Sequence, residues 1–186
     1  MIETKMYTYW ISRLLEEPQE AKLYKSLKLM DNHLTFGKVH PLAKSTTYNI
    51  RDIARIPIRL KIVTGNYILQ SDKSAFSKKA TSPICLLCKK SEETTTHFLI
   101  EYEKLEETRT PIVNKIIKEV SSIFAELKLG GKIDLLQIII NPFAYMYVAG
   151  DEDTKLTDSI SNSLELICRQ LLYALHNKRY ALLKST

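Results

Sequence analysis

Three side chains near the middle of the chain have the types and spacing of metal ligands. Cys85 and Cys88 form a Cys-x-x-Cys pair, and His97 follows them after a polar run of glutamate and threonine. Thiolate sulfur is a soft donor that suits zinc, and a two-residue gap lets the chain turn so that both sulfurs face one ion. The sequence therefore predicts a zinc-knuckle-like hairpin whose ligands are Cys85, Cys88 and His97.

A tetrahedral zinc site needs a fourth donor, and the position where a short knuckle would place it holds Tyr102. A phenol keeps its proton near neutral pH and is a poor zinc ligand, so Glu101, Glu103 or a water molecule are the alternatives. Cys168 lies on the apolar stripe of a predicted helix, where a free cysteine is usually a small buried hydrophobe. No acid–base pair stands beside the motif, so an open zinc site gives no reason to predict hydrolysis.

Two other interpretations of the motif stay open on the sequence alone. The cysteines could be a reduced dithiol beside an ordinary surface histidine, which would leave no metal site. A thioredoxin-like redox pair is the weaker alternative, because the motif does not stand between a predicted strand and a predicted helix. Zinc is favoured because a histidine follows the pair at the distance that a short knuckle needs.

Cationic side chains surround the motif in the sequence. The net charge is +6, and residues 1–90 carry 16 Lys and Arg against 7 Asp and Glu, whereas residues 91–186 carry 11 against 14. A basic half of this kind is suited to contacts with phosphate groups. The predicted nucleic-acid-binding residues are Arg51, Arg55, Arg59, Lys61, Lys73, Lys78, Lys79, Lys89 and Lys90.

Aromatic residues lie among these cations at positions 48, 67 and 76. Aromatic rings beside cationic side chains can stack on unpaired bases, so the predicted partner is RNA or another single-stranded or structured nucleic acid. The alternative for any one of these residues is a solvated lysine or a core tyrosine.

Length and composition indicate a self-contained globular unit. The chain has 186 residues, 45% of them hydrophobic, which is enough for one domain with its own core. Its three cysteines do not form a disulfide framework. No apolar stretch is long enough to cross a bilayer, and the first residues lack the basic-then-apolar pattern of a secretory signal. We therefore expect an intracellular protein without a membrane partner.

The spacing of apolar residues predicts a mainly α fold. Residues 50–70 are ambiguous, because Ile56, Ile58, Leu60 and Ile62 alternate as in a strand while the arginines recur every fourth residue, but Pro57 favours a helix. The predicted helices cover residues 6–30 with a break at Pro18, 57–67 after a preceding helical turn, 111–130, 135–142 and 157–183. The zinc-knuckle-like hairpin is thus inserted between two helical halves.

Three segments are predicted along the chain. Residues 1–47 contain the N-terminal helices and an irregular connecting loop, residues 48–110 contain the basic helix and the knuckle, and residues 111–186 contain the C-terminal helices. The last two segments are expected to form one compact unit.

The order of arginine-rich helix, Thr-Gly-x-Tyr, polar spacer and knuckle resembles the segment downstream of the polymerase in non-long-terminal-repeat retrotransposon proteins. The residues that carry this resemblance are His40, Pro41, Arg51, Asp52, residues 59–67, residues 69–72, Phe76, residues 83–88, Glu93, residues 97–99, Arg109 and residues 167–176.

The resemblance implies a nucleic-acid-binding accessory fragment of a reverse transcriptase, whose knuckle helps to hold template RNA or target DNA. In that family a cysteine completes the knuckle, whereas this chain has Tyr102 there, which indicates a replacement donor or a decaying copy. The family's polymerase needs paired aspartates and its endonuclease needs a separate upstream domain, and neither is found here, so the chain is not expected to be an enzyme. The alternative is a non-catalytic helical interaction domain, or a decayed remnant, that binds neither metal nor nucleic acid.

Overall fold

The computed structural model describes Leu42 and residues 49–126, 134–143 and 159–185. Within these residues β-structure is limited to one isolated antiparallel bridge between Ile84 and Glu92, which confirms the mainly α fold class. The α-helices of this part of the chain are α1 (Ile50–Ile53), α2 (Ile56–Val63), α3 (Gln70–Phe76), α4 (Glu106–Glu126), α5 (Leu135–Ile140) and α6 (Glu165–Lys184). Short π-helical turns occupy His97–Glu101 and Ile160–Leu164, and a 3-10 turn occupies Glu103–Leu105.

Local signals explain why residues 50–63 are helical. The side chain of Asn49 accepts a hydrogen bond of 2.9 Å from the backbone N–H of Arg51 and so caps α1. Pro57 lies in the first turn of α2, where its missing N–H costs nothing. The helix ends before Gly65, whose φ of 72° is the left-handed conformation that favours glycine after a helix. The preference for a helix over a strand here is therefore confirmed.

The start of α4 differs from the sequence-based prediction. We predicted a helix that begins near Pro111, but α4 begins at Glu106 and Pro111 lies inside it. Pro111 cannot donate to the carbonyl group four residues earlier, and it is exposed, so water can satisfy the lost bond. The boundary predicted between residues 110 and 111 falls within this helix.

Helix α6 packs against α2, α4 and the π-helical turn before it. Its apolar stripe contributes Cys168, Leu171, Leu172 and Leu175 to the core, and Leu164 of the preceding turn packs with them. Cys168 donates to the carbonyl oxygen of Ile138 over 3.6 Å, and burial raises the pKa of its thiol to about 12. The prediction that Cys168 is a small buried residue is confirmed, and its sulfur does not belong to the cluster of ligand atoms described below.

A buried ionic network ties α1, α2 and α5 to α6. Glu165 accepts bonds of 2.9 and 2.7 Å from Arg59 and one of 3.1 Å from Arg169. Arg59 also donates to the carbonyl oxygen of Ile139 at 2.6 Å, and Arg169 donates to Asp52 at 2.9 Å. Burial lowers the pKa of Arg59, but attraction to Glu165 outweighs it and the pKa is raised.

The helices and loop predicted for residues 1–47 lie outside the described residues, apart from Leu42, which is buried in the core. None of the helices in the described ranges combines the length and the apolar character needed to span a bilayer.

Candidate metal centre

Residues 83–93 form a tight hairpin around the cysteine pair. The backbone N–H of Cys85 donates to the carbonyl oxygen of Ser91 at 2.9 Å, and that of Glu93 donates to Pro83 at 2.9 Å. Within the turn, the N–H of Lys89 donates to the carbonyl oxygen of Cys85 at 2.9 Å. These backbone hydrogen bonds hold the hairpin turn together, and they explain why both cysteine sulfurs lie on the same side of it.

The turn also directs backbone donors at the second sulfur. Lys89 has φ of 58°, a left-handed conformation that costs a non-glycine residue about 1–2 kcal/mol, and the next N–H, of Lys90, points at the Cys88 sulfur from 3.5 Å. Burial raises the pKa of the Cys88 thiol, but hydrogen bonds from the N–H groups of Lys90 and Ser91 outweigh it, so its pKa lies below the ordinary value. A sulfur in this setting is prepared to bind as thiolate.

The histidine is presented by the π-helical turn that follows the hairpin. The hydroxyl of Thr94 accepts a bond of 3.1 Å from the N–H of His97, and His97 Nε2 lies 3.5 Å from Cys88 Sγ. Ligand atoms of Cys85, Cys88 and His97 all lie within 4.8 Å of one another. The structure thus brings together the three residues that the sequence singled out.

One separation within this cluster matches that expected around a tetrahedral ion. Zinc bonds of about 2.3 Å to sulfur and about 2.0–2.1 Å to nitrogen, at a tetrahedral angle, place sulfur and nitrogen roughly 3.6 Å apart. The distance of 3.5 Å between Cys88 Sγ and His97 Nε2 agrees with this value. The two sulfurs and the imidazole lie close enough together to hold one metal ion.

Glu101 and Glu103 are not members of the cluster of ligand atoms. Glu101 Oε2 lies 3.5 Å from Nδ1 of His97, the ring nitrogen that faces away from the cysteines. No hydrogen bond joins the two groups, and Nδ1 is buried without a hydrogen-bond partner among the described residues. Glu101 thus lies near the histidine without belonging to the cluster, and Glu103 is exposed at the rim of the neighbouring cavity.

Tyr102 lies beside the histidine of the cluster and lines the same cavity as Cys88 and His97. Its side chain is 3% exposed, and its ring centroid lies 5.7 Å from that of His97. Its hydroxyl has no hydrogen-bond partner among the described residues. Burial, reinforced by the negative charges of Cys85, Cys88 and Glu93, raises the pKa of Tyr102 to about 12. The phenol therefore keeps its proton and is a buried hydrogen-bond donor without an acceptor among the described residues.

The hairpin is anchored to α6 by a buried ion pair. Glu93 is 2% exposed and accepts bonds of 2.9 and 3.0 Å from Arg179, and it also accepts from the N–H of Gln70 at the start of α3. Burial lowers the pKa of Arg179, but its bonds to Glu93 outweigh this and the pKa is raised. The Cys85 sulfur lies 4.0 Å from Glu93 Oε1, so Arg179 also neutralises a carboxylate beside a candidate metal ligand.

Removal of Arg179 is expected to release the hairpin. In Arg179→Met the buried Glu93 loses its counterion, and breaking a buried pair costs about 3–5 kcal/mol. We expect hydrogen exchange at the amides of Cys85 and Glu93 to accelerate by about a hundredfold or more. Lys178→Met, at an exposed neighbour on the same helix, is the control and should leave both rates unchanged. Equal protection of the two amides in both variants would show that the pair does not hold the hairpin.

The predicted arginine face for phosphate binding is wrong in one member. Arg59 is 1% exposed and is held by Glu165, so it cannot reach a nucleic acid. Arg55 is half-buried with its guanidinium 3.6 Å from Asp52, and Arg51 is exposed. Arg59, the last of the three regularly spaced arginines, therefore has a structural role in the core.

In contrast to Arg59, the predicted lysines lie on the surface. Each of them is exposed, and none forms an ion pair with another described residue: Lys61, Lys73, Lys78, Lys79, Lys89 and Lys90. Of the predicted stacking residues, Phe76 is 78% exposed, whereas Tyr67 is stacked on Phe98 and its hydroxyl lies 2.9 Å from Nδ1 of His176. Tyr67 is therefore a packing residue, and Tyr48 lies outside the described residues.

The sequence analysis did not assign a positioning role to several residues that hold the centre. The Glu93–Arg179 pair joins residues 86 positions apart, and no local pattern predicts it. Arg109 is buried and donates to the carbonyl oxygen of Tyr102 at 3.2 Å, which anchors the backbone of that residue. Only the spacing of Glu165 and Arg169, four residues apart, was a visible signal of an ion pair.

Comparison with known proteins adds no assignment, because no protein-family model, curated protein or solved structure matches the chain.

Proposed function

We propose that this chain is a zinc-binding accessory module for RNA or single-stranded nucleic acid, and we assign it no catalytic role. The observation that carries the proposal is the convergence of Cys85, Cys88 and His97, whose ligand atoms lie within 4.8 Å of one another. Zinc is the metal of choice because two thiolates and one imidazole form a donor set that matches its preferences. The ion would fix the hairpin and the π-helical turn relative to each other.

Cationic residues on the hairpin and on α3 support a polyanionic partner. Lys89 and Lys90 are exposed in the hairpin turn, and Lys78 and Lys79 are exposed directly after α3. Glu93 links the two segments, because its carboxylate accepts from the backbone at the start of α3 and its backbone closes the hairpin. The segments are thus held together while their lysines stay free for phosphate contacts.

Three of these lysines occupy an unfavourable backbone conformation. Lys78, Lys79 and Lys89 have φ of 50°, 69° and 58°, where glycine or asparagine would fit at lower cost. Strained conformations in native proteins concentrate at functional positions. A positive charge at each of the three strained positions supports a function for the charges themselves.

The charge contribution can be tested without disturbing these turns. The triple variant Lys78→Asn, Lys79→Asn and Lys89→Asn removes three charges and keeps residues that tolerate the left-handed conformation. The control Lys115→Gln, Lys118→Gln and Lys178→Gln removes the same charge from exposed helical positions. Fluorescence anisotropy with a labelled single-stranded oligonucleotide, over a range of salt concentrations, gives the affinity and its salt dependence for each protein.

We expect the asparagine variant to bind more weakly and the slope of log K against log salt to fall in magnitude by about 2, because each lost phosphate contact contributes about 0.7. The control should retain most of the wild-type slope. Absence of binding at low salt, or identical slopes in the two variants, would contradict the proposed surface.

Descent from a retrotransposon reverse transcriptase is part of the proposal and is supported by the motif order described above. The site departs from that family at Tyr102, and the departure supports a second candidate function: a helical interaction domain or remnant that has lost its metal. In that case purified protein contains no stoichiometric zinc, and a chelator leaves its thermal stability unchanged.

A further inference from the structure

We propose that the metal held by Cys85, Cys88 and His97 keeps its fourth position open for a small thiolate from solution, and that the Tyr102 hydroxyl hydrogen-bonds to this ligand. The inference rests on the proposed zinc site and adds a ligand class to it. Tyr102 would then position an exchangeable ligand. A structural zinc site would instead have a fourth ligand from the protein.

The donor set is the first argument. Among the described residues the cluster contains two sulfurs and one imidazole, and neither Glu101 nor Glu103 belongs to it. Three protein ligands with a fourth position for water or substrate distinguish open zinc sites from closed structural ones. Two thiolates balance the charge of the ion, so an additional anionic ligand gives the overall charge of an ordinary three-cysteine, one-histidine site.

The orphaned hydroxyl of Tyr102 is the second argument. It is buried beside the cluster without a hydrogen-bond partner among the described residues, and a buried donor left unsatisfied costs about 1–3 kcal/mol. An acceptor atom bound to the open corner would remove this cost. Arg109 anchors the backbone of Tyr102, and the side chain of Tyr102 is 3% exposed, so its ring is packed before any ligand arrives.

Access is the third argument. A cavity of about 260 Å³ opens beside Cys88, His97 and Tyr102. This volume is several times the roughly 30 Å³ that one water molecule occupies in the liquid, so a small organic thiol can enter. Its lining includes two lysines, Lys90 and Lys104, two glutamates, Glu101 and Glu103, and the apolar Leu87. Because the lining carries both positive and negative side chains, it does not exclude a singly charged anion. Sulfur is the donor that a sulfur-rich metal site accepts most readily.

The experiment uses the full chain loaded with cobalt(II) in a buffer whose reductant is not a thiol. Cobalt reports coordination through its visible absorption and through thiolate-to-cobalt charge transfer in the near ultraviolet. The probe is 2-mercaptoethanol, which gives its proton to the buffer as its sulfur displaces water from the ion. Wild type is compared with Tyr102→Phe, which lacks only the hydroxyl, and with Tyr102→Cys, which supplies a fourth protein sulfur.

In wild type we expect a saturable increase of the charge-transfer band with one thiol bound per cobalt. Tyr102→Phe should bind the thiol about tenfold more weakly, since a hydrogen bond to a charged acceptor is lost. Tyr102→Cys should show the stronger band from the start and no response to the thiol.

Two results overturn the inference in different ways. If cobalt binds stoichiometrically to wild type but its spectrum ignores the thiol, a protein group already fills the fourth position, and only this inference fails. If cobalt does not bind to the cysteine pair, the proposed metal site fails together with it.

Discussion

Removal of zinc by a chelator is expected to lower the melting temperature of this protein by about 10 °C. A ligand present at a thousand times its dissociation constant stabilises the folded state by about 4 kcal/mol, and about 1 kcal/mol shifts a domain of this size by roughly 2–4 °C. The hairpin of residues 83–93 is expected to depend on the ion because its regular structure is one isolated bridge, and Leu86 at its turn is 50% exposed. Differential scanning fluorimetry of zinc-loaded protein, with and without chelator, measures the shift.

The source of this shift can be assigned with two variants. Cys88→Ser removes one ligand and should melt at the same temperature with and without chelator. Cys168→Ala removes a buried sulfur outside the cluster, so it should lower the melting temperature through a cavity yet keep the chelator response. A wild-type protein that is indifferent to the chelator would favour the metal-free remnant.

Replacement of Glu165 by glutamine is expected to cost about 3–5 kcal/mol of unfolding free energy, a large part of the total stability of a typical domain. Glu165 is 0% exposed and is bonded to both Arg59 and Arg169, so the neutral amide leaves two buried guanidinium groups without their shared counterion. Urea unfolding followed by circular dichroism gives the free energy. A variant that is already unfolded in buffer agrees with the expectation.

The matched control for this change is Glu107→Gln, at an exposed position in the first turn of α4. It removes the same charge by the same substitution and should change stability by no more than about 0.5 kcal/mol. If Glu165→Gln were as stable as this control, the buried network would not be holding α1, α2 and α5 on α6.

Helix α6 links the core to the candidate metal centre. Near its start, Glu165 binds Arg59 of α2, and Arg169 binds Asp52 of α1. Near its end, Arg179 binds Glu93 and lies 5.9 Å from the ring centroids of both Tyr67 and Phe98. The same helix therefore supports the fold at one end and the hairpin at the other, which makes the position of the cysteines depend on the packing of the whole unit.

The metal-ligand cluster could be predicted because its geometry is mostly local. Two cysteines two residues apart must share a turn, and a histidine on the next helical turn can reach the same point. The helical class was also predictable, since the apolar stripe of α6 recurs at three and four residues over its full length.

The role of Arg59 could not be predicted, because an arginine that repeats every fourth residue looks the same whether it faces water or the core. Its partner Glu165 lies 106 residues away, and such a pairing depends on how the helices pack. The start of α4 was misjudged for a related reason. A proline often marks the first turn of a helix, but an exposed proline later in the helix is tolerated when water replaces the missing bond.

The central claim is that Cys85, Cys88 and His97 bind one metal ion. It is tested most directly by elemental analysis of protein purified without chelator and with zinc in the growth medium. We predict one zinc per chain, reduced to a trace in the double variant Cys85→Ser and Cys88→Ser and unchanged in Cys168→Ala. Zinc content far below one per chain in the wild type, with no uptake when zinc is added to the reduced protein, would contradict the account.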